Sequence, residues 1–181
     1  CTAEHMVGEL NASNAAAVVT TADMDGIEKD KIVVDDPKSA FGTIVGEFRP
    51  ECPKLVDQRE LAFISESAQI ADDCVIRAGA TIGDNVVIGS GTIVHSGVTI
   101  MAESTIGEDV TIFPCAVLYE NTIIGNRVII HSNVVLGAFG FGYDTQDGQH
   151  HLSDQMCNVI VHDDVDIGAG TTIDRGTWDS T

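Results

Sequence analysis

One spacing constrains this chain more than any other feature: a branched aliphatic residue recurs every six positions, thirteen times without a break. An α-helix repeats near 3.6 residues and a plain strand near 2, so a strict repeat of six matches neither alone. The spacing predicts a mainly β fold, a parallel β-helix of hexapeptides in which each short strand and turn forms one side of a coil. The ladder residues are Ile64, Ile70, Ile76, Ile82, Ile88, Val94, Ile100, Ile106, Ile112, Leu118, Ile124, Ile130 and Leu136.

The position two before each ladder residue is always small or β-branched, as at Ala80, Val86 and Thr92. Residues two apart lie on the same face of a strand, so we expect both to point into the prism. Turn-forming residues follow the ladder positions, for example Asp84-Asn85 and Ser90-Gly91. This pattern predicts corners between the strands.

Unbroken hexapeptide ladders resemble a known group of folds, the left-handed parallel β-helices, whose coil is a triangular turn of three hexapeptides. The resemblance supplies the handedness, because parallel crossovers are otherwise usually right-handed. It implies that equivalent positions in successive coils lie one strand spacing apart, about 4.8 Å along the axis.

Residues 1–58 lie outside the ladder and are predicted to form a partial small α/β domain followed by a linker. Residues 15–20 and 31–34 have the composition of strands, and Asp36-Pro37 predicts an N-cap and first-turn proline for a helix over 37–48. Pro50 and Pro53 are expected to end this helix. One face of the helix is apolar: Phe41, Ile44, Val45 and Phe48.

Residues 59–181 are predicted to form the β-helix, with one interruption. The ladder stops at Leu136 and resumes at Val161, 25 residues later and one more than a multiple of six. The intervening residues 137–158 are rich in Gly and polar side chains. We therefore expect them to protrude as a loop, and long loops on a rigid scaffold are common sites of function.

Charge and cysteine content exclude several classes of function. The 181 residues carry a formal net charge of −19, which argues against nucleic acid or an anionic membrane surface as a partner. No apolar run approaches the length of a membrane span. The five cysteines, Cys1, Cys52, Cys74, Cys115 and Cys157, form no C-x-x-C pair, which suggests a reducing, cytoplasmic location.

His95 and His131 are 36 residues apart, two coils of eighteen, and Phe113 lies midway between them. All three follow a ladder residue directly, so we expect them to face outward at one corner. A metal site would resemble the zinc centre of the trimeric carbonic anhydrases, which is shared between chains. Two coils separate the imidazoles by about 9.6 Å, too far to share one ion within a chain. A corner stack at a trimer interface is favoured, and no metal site is predicted.

Four segments together resemble one enzyme family. Residues 33–37 with Ala40-Phe41, residues 130–132, the run GAFGFGY at 137–143, and residues 172–176 are similar to the UDP-3-O-acylglucosamine N-acyltransferases of lipid A biosynthesis. The family more usually has Asp at the position of Phe139. Residues 1–58 then resemble part of its uridine-binding domain. The resemblance covers nearly the whole chain.

The resemblance implies acyl transfer from an acyl carrier protein thioester to the 2-amine of a UDP-linked 3-O-acylglucosamine, in a homotrimer and without a cofactor. The family's catalytic base is a histidine in an Ile-Ala-His-Asn phrase, which these 181 residues do not contain. Because the first residue is Cys and the last coil has no cap, we expect a fragment of a longer protein. No catalytic residue is therefore assigned within it.

The candidate substrate-binding residues lie around the predicted loop and corners. Each has a structural alternative: the aromatic residues of 139–143 could only anchor a loop, and Asp174-Arg175 could form an ion pair. The adjacent His150 and His151 are predicted to be solvated, and Trp178 to be an interface or loop anchor. The candidates are Phe139, Phe141, Gly142, Tyr143, Asp174, Arg175 and His131.

Alternatives from two classes of function also fit the sequence. The related UDP-N-acetylglucosamine O-acyltransferases share the repeat, but they lack an N-terminal α/β domain and have His at the position of Asp174; other hexapeptide acetyltransferases belong to the same class. The remaining alternative is a non-catalytic trimeric scaffold, which the missing base would favour for the fragment itself.

Overall fold

The computed structural model describes residues 4–22, 24–49 and 54–181 and divides the chain into two compact units, Cys1–Pro53 and Lys54–Thr181. Cys1, Cys52, Pro50 and Pro53, which carried predictions above, lie outside the described residues. Within the described ranges no helix is long and apolar enough to cross a membrane. The assignment of the first unit to a uridine-binding-like domain stays a prediction.

The first unit is a small α/β arrangement. Strand β1 (Ala17–Thr20) pairs in parallel with β2 (Asp30–Val33), and helices α1 (Val7–Ala12) and α2 (Pro37–Glu47) precede and follow them. A 3₁₀ turn, Glu4–Met6, leads into α1. Helix α2 begins where Asp36-Pro37 predicts, because the Asp36 carboxylate accepts the N–H groups of Lys38 and Ser39, both at 3.1 Å.

The core of this unit is small. Val18, Met24 and Ile27 are buried, with Val7 and Leu10 packed against them. The apolar face predicted for α2 is present, but Phe41 is 58% and Phe48 82% exposed. This helix therefore buries little apolar surface against the described residues of its own unit.

The second unit consists of three parallel sheets of five, five and six strands, plus a two-stranded hairpin. Nearly every parallel strand has only two residues, as expected when a corner interrupts each hexapeptide. In chain order the strands are β3 (Phe63–Ile64), β4 (Gln69–Ile70), β5 (Val75–Ile76), β6 (Thr81–Ile82), β7 (Val87–Ile88), β8 (Ile93–Val94), β9 (Thr99–Ile100), β10 (Thr105–Ile106), β11 (Thr111–Ile112), β12 (Val117–Leu118), β13 (Ile123–Ile124), β14 (Ile129–Ile130), β15 (Val135–Ala138), β16 (Tyr143–Gln146), β17 (Gln149–Leu152), β18 (Ile160–Val161), β19 (Asp166–Ile167) and β20 (Thr172–Asp174). A 3₁₀ turn, Arg59–Leu61, precedes β3.

The register shows that three hexapeptides make one coil. Ile64 pairs with Ile82, and Ile82 with Ile100, so equivalent residues recur every eighteen positions. The three sheets are the three sides of the resulting prism. The predicted fold is confirmed: the chain is mostly β, with parallel strands stacked in sheets as in a left-handed β-helix.

The ladder forms the core. From Ile76 to Leu136 every ladder side chain is at most 2% exposed, and the small residues two positions earlier are buried as well. Ile64 and Ile70 in the first coil are only partly buried, because they have a neighbouring coil on one side only. The three buried polar partners are hydrogen bonded to carbonyl groups; Thr92, for example, donates to Gly107 O at 2.9 Å.

Backbone conformation explains the turn residues. The third residue after the ladder positions from Ile76 to Ile130, and again after Val161 and Ile167, has a positive φ, which Gly, Asn and Asp adopt at the least cost. Cys115 (φ 63°) and Glu103 (φ 61°) occupy the same position despite their less suitable side chains. The full series is Gly79, Asn85, Gly91, Gly97, Glu103, Asp109, Cys115, Asn121, Arg127, Asn133, Asp164 and Gly170.

A polar cluster fastens the chain to the open end of the first coil. The Arg59 side chain donates to Cys74 O at 2.7 Å and pairs with the Asp57 carboxylate, which also accepts the Ile76 N–H at 2.8 Å. Burial opposes ionisation of Asp57, but the Ile76 N–H and the Arg59 cation outweigh it and lower its pKa. Strand-edge groups that no earlier coil covers are thereby hydrogen bonded.

We expect Arg59→Ala to lower the free energy of unfolding of the prism by about 1–3 kcal/mol, because a carbonyl and a carboxylate lose their charged donor. Arg127→Ala, which removes an exposed ion pair with Asp164, is the control and should have a smaller effect. Urea unfolding at pH 7 measures both. Since the pKa of Asp57 is depressed on folding, its contribution is present at pH 7 and is lost as the pH falls through that pKa. A loss for Arg127→Ala equal to that for Arg59→Ala would contradict this role.

Candidate functional site

Residues 137–158 leave the prism at one corner and contain a β-hairpin. Strand β16 pairs antiparallel with β17, and Asp147-Gly148 form the connecting turn, both with positive φ. Ile124 pairs with Val161, so the whole segment lies between two successive coils. A protruding loop was predicted at this place, but its hairpin was not.

A second, shorter segment leaves the prism at the same corner one coil later. In regular coils an N–H donates to the carbonyl seventeen residues on, as from Thr105 to Thr122, whereas Ile160 donates to Thr181, twenty-one residues on. The coil that contains Arg175 is therefore four residues longer than a regular coil. The Cys157 N–H donates to Gly176 O at 3.1 Å, which connects the two protruding segments.

Arg175 fastens the root of the first segment to the prism. Its guanidinium pairs with Glu120 at 2.9 Å, donates from Nε to Gly137 O at 2.7 Å, and lies over the Phe139 ring with Cζ 4.5 Å from the centroid. The side chain of Arg175 is only 11% exposed. These contacts occupy the guanidinium and orient Phe139 by a cation–π interaction.

Glu120 was not among the predicted site residues. Leu118, Leu136 and Ile173 pair in successive coils, and Glu120 and Arg175 each follow their ladder residue by two positions. They therefore belong to the same column of the corner, two coils apart. The hexapeptide repeat predicts the members of this column up to Leu136. Placing Arg175 in the same column as Glu120 also requires the length of the insertion after Leu136.

Gln155 fastens the same segment at a second point. Its carboxamide accepts the Gly140 N–H at 2.7 Å and donates to Gly140 O at 2.9 Å, and the residue is only 8% exposed. Asp174 lies beside this pair: a Cβ on Gly140 would be 3.2 Å from Asp174 Oδ2. Gln155 was not predicted either, because no periodicity in the segment identifies a buried residue.

Phe141 and Tyr143, called here the aromatic tip, form an exposed aromatic part of the segment. Phe141 is 96% exposed and contacts Tyr143 edge to face, with centroids 5.4 Å apart. Together with His150 these rings line a cleft of about 260 Å³. His150 was predicted to be solvated; it is exposed, but its Nδ1 lies 3.0 Å from Thr145 Oγ1 across the hairpin. Gly142 O accepts the Ser153 N–H at 2.9 Å, which closes the base of the tip.

A shallow groove of about 560 Å³ runs along the corner of the preceding coils. Phe63, Thr81 and Met101 line it, small residues such as Gly83 leave it open, and Glu120 marks its end at the root of the protruding segment. Glu120 thus belongs both to this recess and to the contacts at the root of the protruding segment. Such a recess can accommodate an elongated group.

His131 lies elsewhere, in a column with His95 and Phe113. The Phe113 ring stacks between the two imidazoles, with centroid distances of 5.0 Å on both sides. His131 Nε2 lies 3.3 Å from Asp166 Oδ1, and burial, helped by the Arg77 cation, lowers the pKa of His95. The predicted stack of the three rings is present, and its place at a trimer interface stays a prediction. His131 belongs to this stack and not to the cluster around Arg175. Among the described residues no group of three or more His, Cys, Asp or Glu could hold a metal ion.

The arrangement suits binding better than proton transfer. Six of the seven candidate residues, all except His131, lie on the two protruding segments or at their root. Phe141, Tyr143 and His150 offer a largely apolar cleft, while Arg175 is engaged by Glu120. A flat or apolar part of a substrate matches this surface.

Comparison with known proteins supports an acyltransferase relationship. Residues 59–139 match a family model described as the GMPPB C-terminal domain. A UDP-3-O-acylglucosamine N-acyltransferase from Methylobacillus flagellatus is 41% identical over 173 residues, which are 95% of this chain and 49% of that protein. A protein of the same name from Rhodopirellula baltica is 49% identical over 47 residues, 26% of this chain and 12% of the relative.

A solved structure, the UDP-N-acetylglucosamine acyltransferase of Francisella novicida, aligns with a TM-score of 0.41 and 30% identity over 62% of this chain and 44% of that chain. The chain spans about half the length of the Methylobacillus relative. The resemblance inferred from the loop and from residues 172–176 is confirmed: the chain is similar over nearly its whole length to one protein named UDP-3-O-acylglucosamine N-acyltransferase, and over a quarter of its length to another of that name.

Proposed function

We propose that the protein to which this chain belongs is an N-acyltransferase of lipid A biosynthesis. It transfers an acyl chain from an acyl carrier protein to the 2-amine of UDP-3-O-acylglucosamine. The observation that carries the proposal is the 41% identity over 95% of the chain, which extends across the first unit, the prism and the protruding segment. Hexapeptide repeats alone would support only the broader class of acyltransferases.

The reaction needs no cofactor, because the thioester already activates the acyl group. The amine nitrogen attacks the thioester carbonyl, the C–N bond forms and the C–S bond breaks, and the thiolate of the carrier leaves. A base takes the amine proton and passes it to the departing thiolate, which becomes the thiol. By resemblance this base is the histidine of an Ile-Ala-His-Asn phrase, which lies outside these 181 residues.

Within this chain we assign substrate contacts to the protruding segment. Phe141 and Tyr143 contact the UDP-sugar or its acyl chain, and Gly142 lets the backbone approach it closely. Phe139, Asp174 and Arg175 hold the root of the segment in the conformation that binds. His131 faces the cleft between prisms of a homotrimer. The exposed aromatic cleft and the engaged guanidinium support this division of roles.

We further propose that the protein is a cytoplasmic homotrimer, with substrate sites in the clefts between neighbouring prisms. A net charge of −19 disfavours electrostatic docking of an acidic carrier protein on this part of the protein. The carrier should therefore dock on another part of the protein.

The strongest competing function is O-acylation of UDP-N-acetylglucosamine, and competition between acceptors distinguishes the two. We expect the protein, extended to the full length of its relatives, to acylate the free 2-amine of UDP-3-O-acylglucosamine at least about 100-fold faster than the hydroxyl of UDP-N-acetylglucosamine, because a site shaped for one reacting group positions the other poorly. Both acceptors at equal concentration and one acyl carrier protein thioester suffice, with products separated by mass. Preference for the hydroxyl acceptor would replace the proposal by the competing one. No transfer to either acceptor by a folded trimer would favour the scaffold.

A further inference from the structure

A buried carboxamide on an otherwise exposed segment is unusual, and Gln155 is such a group. Most of residues 141–152 are exposed, yet Gln155 is 8% exposed and forms two short hydrogen bonds to a single residue, Gly140. The Gln155 carboxamide bonds to Gly140 as the backbone of a neighbouring strand would. Its oxygen accepts the Gly140 N–H, and its nitrogen donates to the Gly140 carbonyl. A buried polar group with both bonds formed defines a geometry more strongly than apolar packing does.

Gly140 directly precedes the aromatic tip, so its position determines where the tip points. Phe141 is 96% exposed and contacts Tyr143, and it therefore has little packing of its own to hold it. A Cβ on Gly140 would lie 3.2 Å from Asp174 Oδ2 and 3.5 Å from Gln155 Nε2. The Gly140 backbone is thus held between the prism and Gln155 in a place where a Cβ would require a small shift of the Asp174 side chain.

We infer that Gln155 is a positioning residue that holds Phe141 and Tyr143 in the orientation that binds the acceptor sugar nucleotide. The substrate named in this inference rests on the proposed function. The structural part, that Gln155 fixes the position of these rings, rests on the hydrogen bonds alone. Because Gln155 acts on binding and not on proton transfer, its loss should raise KM for the acceptor and leave kcat nearly unchanged.

The structural part is tested on the 181-residue chain by hydrogen exchange of the Gly140 amide. Gln155→Met keeps the length of the side chain and removes both hydrogen bonds, and Gln149→Met makes the same change at an exposed hairpin position. We expect at least tenfold faster exchange at Gly140 in Gln155→Met and no change in Gln149→Met, with Ile106 protected in both. Unchanged exchange at Gly140 in Gln155→Met would overturn the inference. If the Ile106 amide also loses protection in Gln155→Met, Gly140→Ala replaces Gln155→Met as the variant that is tested.

The functional part uses the protein extended to the length of its relatives. Gln155→Met should raise KM for UDP-3-O-acylglucosamine about tenfold with kcat within about twofold, as expected when one neutral hydrogen-bonded anchor is lost. Gly140→Ala should reproduce this KM effect while leaving Gln155 in place, and Gln149→Met should match the wild type. A fall in kcat at constant KM would overturn the positioning role. If the wild type transfers no acyl group while the exchange test succeeds, the proposed function fails and the structural role of Gln155 stands.

Discussion

Replacing Ile106 by Asp will unfold the middle of the prism, with an expected loss of about 4–6 kcal/mol. The side chain is 1% exposed and belongs to a continuous column of aliphatic residues in strands β7, β10 and β13. The substitution removes a large apolar group and places a carboxylate where no partner is available. Neighbouring coils share this column, so the damage should spread beyond one strand.

The matched control is Thr105→Asp, one residue earlier on the same strand. Thr105 is exposed and faces outward, so the same acidic side chain should cost roughly 1 kcal/mol or less there. Thermal unfolding followed by circular dichroism measures both variants. Equal losses at the two positions would show that the assignment of inside and outside faces is wrong.

The second large effect concerns activity. We expect the 181-residue chain to transfer no measurable acyl group, whereas the protein extended to the length of its relatives does. The chain contains six histidines, none of them in an Ile-Ala-His-Asn phrase. Loss of general-base catalysis alone typically lowers the rate by about 10²–10⁴. Acyl transfer from acyl carrier protein to UDP-3-O-acylglucosamine, assayed for both proteins, measures the difference.

His131 provides the control for this prediction. It stacks on Phe113 and lies 3.3 Å from Asp166, away from the aromatic cleft, so His131→Ala in the longer protein should lower turnover much less than substitution of the Ile-Ala-His-Asn histidine. Near-normal turnover by the 181-residue chain would contradict the prediction. In that case His131 or the hairpin histidines, His150 and His151, would be the candidates for the base.

The prism could be predicted almost completely from the sequence, because its geometry repeats. A single period of six identifies the buried residue, its small partner and the corner, and the same rule holds from Ile64 to Leu136. The positive φ at the corners was not predicted as such. The positive φ explains why Asn85 and Asp109 occupy these corner positions. A helix or a continuous strand would accept almost any residue at the same place.

The protruding segment could be predicted only in outline. Loss of the ladder located its boundaries, and Asp147-Gly148 is a strong hairpin signal that the Gly-rich context obscured. The contacts of Gln155 with Gly140, and of Arg175 with Glu120, depend on the path of the chain between two coils. No local pattern encodes such a path, so the residues that fix the site were the least accessible to sequence reasoning.

Outside the prism, the short elements around β1 and β2 were predicted approximately. Strand β2 begins at Asp30, one residue before its predicted start, while α2 begins as the Asp36 cap indicates. Capping is a local interaction between neighbouring residues, whereas strand ends depend on the partner strand. This difference explains why the helix start was predicted more accurately than the strands.

The most direct test of the proposed function is the chemical linkage formed in a single turnover. The protein extended to the length of its relatives is mixed with an acyl carrier protein thioester and UDP-3-O-acylglucosamine, and the product is analysed by mass before and after mild base. Because amides survive mild base and esters do not, base should remove the 3-O-acyl ester that the acceptor already carries, while the newly added acyl group is expected to stay on the amine. A product that loses the new acyl group in base, or an acceptor that gains none, would contradict the assignment as an N-acyltransferase.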